Sequence, residues 1–191
     1  MEQKFGQFDE RIGNLDRAIE SNPNDRQAWY DRGIELNKLG RFDEAISSFD
    51  RATELKPDEA EIWNDRGFAL GNLGKLGPAI SSYNKAIEFD RHNYHAWYNR
   101  GLALGRVNRF DDAIASFDRA IALKPNEAES WYNRGVVLGK LDRLNEALAS
   151  YDRAIELQPD DRDAWNNRGV IQGNLGKCDE ALVSLNRAIE L

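Results

Sequence analysis

Five tryptophans recur at a constant interval of 34 residues, and this period limits the possible fold more than any other feature of the chain. They are Trp29, Trp63, Trp97, Trp131 and Trp165. Each one is the first residue of the same sequence motif, Trp-x-x-Arg-Gly. A fixed period of this size is typical of repeat architectures, in which one unit cannot bury its apolar face without its neighbours.

The apolar residues that follow each Trp-x-x-Arg-Gly motif recur with the same 34-residue period. An alanine lies sixteen residues after each tryptophan, at Ala45, Ala79, Ala113, Ala147 and Ala181. A large apolar residue follows four positions later, at Phe49, Tyr83, Phe117, Tyr151 and Leu185. Spacings of three and four predict helices, and Gly40, Gly74 and Gly176 fall where a first helix should end and turn back. Each unit is therefore predicted to be a helix–turn–helix.

The order of Trp, Gly, Ala, aromatic residue and Ala, closed by Pro57, Pro125 and Pro159 in three units, resembles the tetratricopeptide repeat. The Trp-x-x-Arg-Gly motif is most similar to the motif of bacterial members, although its arginine replaces the leucine that is usual in the family. The resemblance implies an all-α fold, a right-handed superhelical solenoid of antiparallel helix pairs. It also implies that the first helices line a concave groove that takes peptide segments.

The same phase divides the chain into repeats. We expect a single array over 1–191, with a half repeat (the second helix only) at 1–25, full repeats at 26–59, 60–93, 94–127 and 128–161, and a final, uncapped repeat at 162–191. In the final repeat, Leu182, Val183, Leu185 and Ile189 should be partly uncovered, because terminal repeats usually need a polar cap.

Composition excludes several functional classes. The net charge of -7 argues against nucleic acid and anionic membranes, which bind clustered lysine and arginine. No apolar run approaches the roughly 20 residues that span a bilayer, so membrane insertion is not expected. Cys178 is the one cysteine, and His92 and His95 have no ligand set around them. We therefore predict a cytoplasmic protein that is not an enzyme and has no cofactor or metal.

The positions that follow each tryptophan are candidate groove residues. The predicted binding set is Tyr30, Lys38, Asn64, Tyr98, Asn99, Arg106, Tyr132, Asn133, Lys140, Asn166 and Asn167. An asparagine amide donates to and accepts from a peptide backbone at once, and a tyrosine offers a rigid apolar face with a polar tip. The alternative is that these side chains are ordinary solvent-exposed residues at positions where the repeats have diverged in sequence.

The repeated arginines allow two interpretations. They are Arg32, Arg66, Arg100, Arg134 and Arg168. The structural interpretation pairs them with the residue that follows the large apolar residue of a second helix, at Asp50, Asn84, Asp118, Asp152 or Asn186. The functional interpretation is a cationic stripe for the acids of a partner. We favour a structural role for the arginines, and for the tryptophans as core residues.

The sequence thus predicts a protein–protein interaction scaffold that binds a peptide segment of a partner in its groove. One alternative is a self-assembling structural protein that uses its uncapped C-terminal helix. Another is a regulatory interaction domain of a larger enzyme.

Overall fold

The computed structural model describes the backbone of residues 2–191 and the side chains of residues 9–191. These residues form eleven α-helices and no strand, so the predicted all-α class is confirmed. The helices are α1 (Glu2–Ser21), α2 (Arg26–Lys38), α3 (Phe42–Leu55), α4 (Ala60–Asn72), α5 (Leu76–Phe89), α6 (Tyr94–Arg106), α7 (Phe110–Leu123), α8 (Ala128–Lys140), α9 (Leu144–Leu157), α10 (Arg162–Asn174) and α11 (Cys178–Glu190).

The chain forms two compact units, Met1–Asn99 and Arg100–Leu191. In the first unit, α1 packs on α2, α2 on α3, α3 on α4 and α4 on α5. In the second unit, α7 packs on α8, and the pairing continues in the same way to α11. The even-numbered helices are the first helices of the hairpins, and they also touch one another, α2 with α4 and α8 with α10.

A left-handed residue closes each first helix. Gly40, Gly74 and Gly176 have φ of 73° to 75°, which confirms the predicted turn positions. At Gly40 the backbone N–H donates to the carbonyl of Asn37 at 3.0 Å. The N–H of Arg41 reaches back to the carbonyl of Leu36 at 2.9 Å, so the last turn of α2 is capped.

The two helices of a hairpin cross at the glycine of the Trp-x-x-Arg-Gly motif. A Cβ atom on Gly33 would lie 2.4 Å from the ring of Phe49, and one on Gly67 would lie 2.6 Å from the ring of Tyr83. Phe49 is completely buried. The small residue is therefore required because the aromatic ring of α3 fills the space against the backbone of α2.

The tryptophans lie at the edge of the core, half-buried, and each is fixed by a hydrogen bond. The indole N–H of Trp29 donates to the carbonyl of Pro23 at 3.0 Å, and that of Trp165 donates to the carbonyl of Pro159 at 2.9 Å. The equivalent bonds of Trp63, Trp97 and Trp131 reach Pro57, Arg91 and Pro125. Each tryptophan therefore holds the loop before its own helix as well as packing on the core.

The last helix exposes apolar side chains, as predicted. Leu182, Val183 and Ile189 of α11 are 63%, 65% and 82% exposed, whereas Leu185 is only partly exposed because it packs on Gly169. None of the helices in the described part of the chain is long and apolar enough to cross a bilayer.

Candidate functional site

Polar side chains connect neighbouring first helices in the first unit. The hydroxyl of Tyr30 on α2 donates to Asp65 Oδ2 on α4 at 2.8 Å. Asn99 Nδ2 on α6 donates to Asn64 Oδ1 on α4 at 3.1 Å. Asn64 also donates to Asp65 Oδ1 at 3.2 Å. Four predicted or neighbouring groove positions therefore form one connected set of hydrogen bonds.

The same connection occurs in the second unit. Asn167 Nδ2 on α10 donates to the hydroxyl of Tyr132 on α8 at 3.0 Å. As in the first unit, the two partners are 35 residues apart, because the residue after one tryptophan meets the second residue after the next. We call these contacts the inter-repeat bonds. They bring Tyr30, Asn64, Asn99, Tyr132 and Asn167 of the predicted set into direct contact with a neighbouring first helix.

Burial of the inter-repeat bonds changes the acidity of their members. The pKa of Asp65 is raised, mainly because burial disfavours its charged form, although Tyr30 and Asn64 donate to the carboxylate and oppose the shift. The pKa of the Tyr30 phenol is also raised, by burial and by the nearby negative charge of Asp65. Asp65 therefore sits where a full negative charge is costly.

A pocket in the second unit brings three further predicted residues together. Arg106, Asn133 and Lys140 line a cavity of about 150 Å³. Leu102 and Val136 also line it, so the cavity combines polar groups with apolar side chains. The amide of Asn133 donates to the carbonyl of Glu129 at 2.9 Å, which fixes its orientation. We call this cavity the α6–α8 pocket.

Three further predicted residues make other contacts. Lys38 Nζ donates to Glu35 Oε1 at 2.8 Å, and the ring of Tyr98 stacks on Tyr94 with 5.9 Å between centroids. Asn166 is exposed and lies on a different pocket, beside Ile189 of α11.

An apolar row on the first helices was missed by the sequence analysis. It lies five residues after each tryptophan, at Ile34, Phe68, Leu102, Val136 and Val170. Phe68 and Val170 are 46% and 49% exposed. The 34-residue period would have revealed this row, because all five positions are apolar although none of them is completely buried.

The repeated arginines bridge two second helices. Arg66 Nε donates to Asp50 Oδ1 at 2.5 Å and Arg66 Nη1 donates to Ser82 Oγ at 2.7 Å. The predicted pairing with the aspartate is thus present, and the aspartate belongs to the preceding repeat. Equivalent aspartate bonds join Arg32 to Asp16, Arg134 to Asp118 and Arg168 to Asp152. Equivalent serine bonds join Arg32 to Ser48, Arg100 to Ser116, Arg134 to Ser150 and Arg168 to Ser184.

The serine partners were not predicted. Ser116 is completely buried, accepts from Arg100 and donates to the carbonyl of Asp112 at 2.8 Å. Both of its hydrogen-bonding functions are thus used inside the protein. Within the described residues, no group of three or more His, Cys, Asp or Glu side chains could hold a metal ion.

Consecutive helical hairpins whose first helices carry polar side chains define a helical repeat protein. Models of the tetratricopeptide repeat match residues 64–128, 101–164 and 163–191, and a model described as the TPR repeat matches residues 35–74. Together the matches run without a gap from residue 35 to residue 191. The chain belongs to the tetratricopeptide repeat family.

Solved structures of similar proteins agree with this assignment. The chain is 25% identical to YrrB, described as a TPR protein with an unusual peptide-binding site, with a TM-score of 0.81 over 92% of this chain and 91% of that one. A MamA protein structure is 26% identical, with a TM-score of 0.82 over 86% and 90% of the two chains. MamA from Desulfovibrio magneticus RS-1, at 18% identity, has a TM-score of 0.83 over 87% and 94% and shares the fold. None of the curated protein sequences matches the chain.

Proposed function

We propose that the chain is a protein–protein interaction scaffold that binds a peptide segment of a partner protein on the surface of its first helices. Membership of the tetratricopeptide family supports this, as does the likeness to YrrB, a protein with a peptide-binding site. The observation that carries the proposal is the α6–α8 pocket, where Arg106, Asn133 and Lys140 line one cavity together with Leu102 and Val136.

The chemistry of the α6–α8 pocket suits a peptide. Arg106 and Lys140 attract carboxylate or carbonyl oxygens. The Asn133 carbonyl accepts from a backbone N–H. Leu102 and Val136 offer a contact for a small apolar side chain, which a cavity of about 150 Å³ has room to hold. A segment with an acidic residue beside a small apolar residue is therefore the expected ligand.

The inter-repeat bonds give the other predicted residues a supporting role within each unit. Each asparagine amide has two donor hydrogens and an acceptor oxygen, so one bond to a neighbouring helix leaves further capacity for a ligand. We therefore propose that all residues of the predicted set contact the ligand, with Tyr98 and Asn166 as contacts at its margins and Lys38 at the N-terminal end.

The test is a selection of ten-residue peptides on the wild-type chain, followed by affinity measurement on variants by fluorescence anisotropy. The variant Asn133→Ala with Lys140→Ala should bind about tenfold more weakly, as expected for the loss of one charge-assisted hydrogen bond. The matched control is Asn145→Ala with Lys177→Ala, which removes the same residue types outside the pocket and should leave affinity unchanged. Equal affinity of all three proteins would contradict the proposal.

A second candidate function is self-association through α11, which the exposure of Val183 and Ile189 favours. Sedimentation of the wild-type chain would then show a mass that grows with concentration. Val183→Asp should abolish this growth, whereas Val107→Asp, a matched change at another exposed valine, should not. A constant monomer mass would dismiss the idea.

We further propose that the repeats run over 26–59, 60–93, 94–127, 128–161 and 162–191, and that 1–25 is a half repeat. The starts of α2, α4, α6, α8 and α10 support these boundaries. The Trp-x-x-Arg-Gly motif supports a bacterial origin. The single cysteine supports a reducing, cytoplasmic compartment. The proposed role requires no enzymatic activity.

A further inference from the structure

The outer surface of the last hairpin, α10 with α11, differs from the equivalent surface one repeat earlier. In that earlier repeat Ile155 is 9% exposed, because it packs in a cluster with Ala164 and the half-buried Trp165 of the next first helix, α10. Ile189 holds the equivalent position in α11 and is 82% exposed. Within residues 9–191, therefore, no first helix covers this side of α11.

A cavity of about 540 Å³ lies on this surface. It combines polar groups of α10 with apolar side chains of α11, and its lining residues are Arg162, Asp163, Asn166, Leu185, Ala188 and Ile189. Leu182 is 63% exposed and precedes Leu185 by three residues and Ile189 by seven, so these three side chains share one side of the helix. We call the cavity together with Leu182 the α10–α11 face.

Arg162 shows which chemistry the α10–α11 face needs from a partner. Its equivalent in the first repeat, Arg26 of α2, forms an ion pair with Glu59, the residue that precedes the next first helix. Arg162 has no hydrogen bond or ion pair to any side chain that the structure describes, and the same holds for the carboxylate of Asp163 beside it. A molecule that covers this face should therefore bring a carboxylate, a cation and an apolar surface.

We propose that this molecule is a second copy of the chain, bound α10–α11 face to α10–α11 face about a two-fold axis. In such an isologous contact each residue meets the other copy reciprocally, so Arg162 of each copy pairs with Asp163 of the other. The apolar side chains of the two α11 helices then cover each other. The inference deepens the self-association candidate of the proposed function and rests on it, and it is independent of peptide binding at the α6–α8 pocket.

The first helix, α1, argues against a head-to-tail arrangement. Among the side chains described in α1, at residues 9–21, no large apolar one is exposed. Arg11 and Asn14 hold positions that in α3 belong to the buried Ala45 and Ser48. The described part of α1 thus presents a mainly polar surface, whereas a second α10–α11 face matches the exposed leucine and isoleucine side chains.

The test is sedimentation equilibrium of the full chain over a wide range of concentrations, with charge variants of the α10–α11 face. For the wild type we expect a mass that rises with concentration and levels off at twice the monomer value. Arg162→Asp and Asp163→Arg should each weaken the dimer about tenfold, because the two-fold axis repeats the lost ion pair and leaves like charges opposite each other. The double variant restores opposite charges and should dimerise within about threefold of the wild type.

Controls separate the interface from general effects of charge. Arg162 and Asp163 are exposed, so the variants should keep the helical content of the wild type in circular dichroism. Arg91→Asp, at an exposed arginine of the first unit, should leave dimerisation unchanged. Ile189→Asp should weaken the dimer at least about tenfold, whereas Val170→Asp, at an exposed valine of α10 outside the cavity, should not.

A mixing experiment tests the two-fold arrangement directly. Wild-type chain labelled with ¹⁵N is mixed in equal amounts with the unlabelled double variant, and the dimers are counted by native mass spectrometry. Mixed dimers should be rarer than chance association gives, because in a mixed dimer arginine faces arginine and aspartate faces aspartate.

The outcomes distinguish the inference from the candidate function on which it rests. A chain that stays monomeric at every concentration would overturn both. A mass that continues to rise beyond twice the monomer value would keep self-association and overturn the two-fold arrangement. Single charge variants that dimerise like the wild type, or a double variant that dimerises no better than either single one, would also overturn it.

Discussion

Replacing Gly33 with alanine should destabilise the protein although alanine is the better helix former. The new Cβ would lie 2.4 Å from the Phe49 ring, and that ring is completely buried. Overpacking of this kind costs about 1–3 kcal/mol, and so close a contact belongs in the upper part of that range. The gain in helix propensity is about 1 kcal/mol. The net loss is therefore about 1–2 kcal/mol in the free energy of unfolding.

The assay is urea denaturation followed by circular dichroism, with Gly173→Ala as the matched control. Gly173 also lies in a first helix, but a Cβ there would meet nothing within 4 Å. The control should therefore gain about 0.5 kcal/mol, less than a mid-helix position because α10 ends at Asn174. Gly135→Ala, with its closest contact at 2.9 Å, should fall between the two. If Gly33→Ala is as stable as the wild type, close packing of the aromatic ring does not set the hairpin geometry.

Three further predictions concern the polar contacts. Tyr30→Phe should lower the free energy of unfolding by about 1–2 kcal/mol in urea denaturation, because Asp65 loses a donor; no change would mean that water replaces the hydroxyl without cost. Asp65→Asn should become more stable relative to the wild type as the pH rises above about 4, since a raised pKa means that the folded state holds this proton longer than the unfolded chain does. A stability difference independent of pH would contradict that reasoning. A double-mutant cycle of Arg134→Ala with Asp118→Ala should give a coupling of about 0.2–1 kcal/mol, because Asp118 is half-exposed, and zero coupling would show that the bond only positions the helices.

The sequence predicted the fold because the local signals for helices and turns recur with the same 34-residue period. The turns at glycine and the helix crossings at glycine and an aromatic residue follow from residues that recur at this interval. Two turns carry no glycine, and there Asn108 and Asp142 adopt φ of 61° and 58°. Asparagine and aspartate tolerate the left-handed region, so the period and not the residue type identifies these turns.

The candidate site was less predictable because its bonds join residues whose distance depends on helix packing. Nothing in the local sequence shows that Tyr30 reaches Asp65, or that Tyr132 reaches Asn167. The buried serines were also missed, although they recur with the same period, because a serine within a helix is usually a neutral small residue.

The inter-repeat bonds would give the proposed binding residues two functions that mutations can separate. Asn64, Tyr132 and Asn167 hold neighbouring first helices together, so a ligand that takes over their existing bonds would weaken the scaffold it binds. A ligand gains free energy only where it uses bonding capacity that the fold leaves over. Substitution of these three residues should therefore lower stability and affinity together. Substitution of Lys140, which is exposed at the rim of the α6–α8 pocket, should lower affinity at constant stability. Ligand specificity in this chain is thus expected to lie in the residues that the inter-repeat bonds do not use.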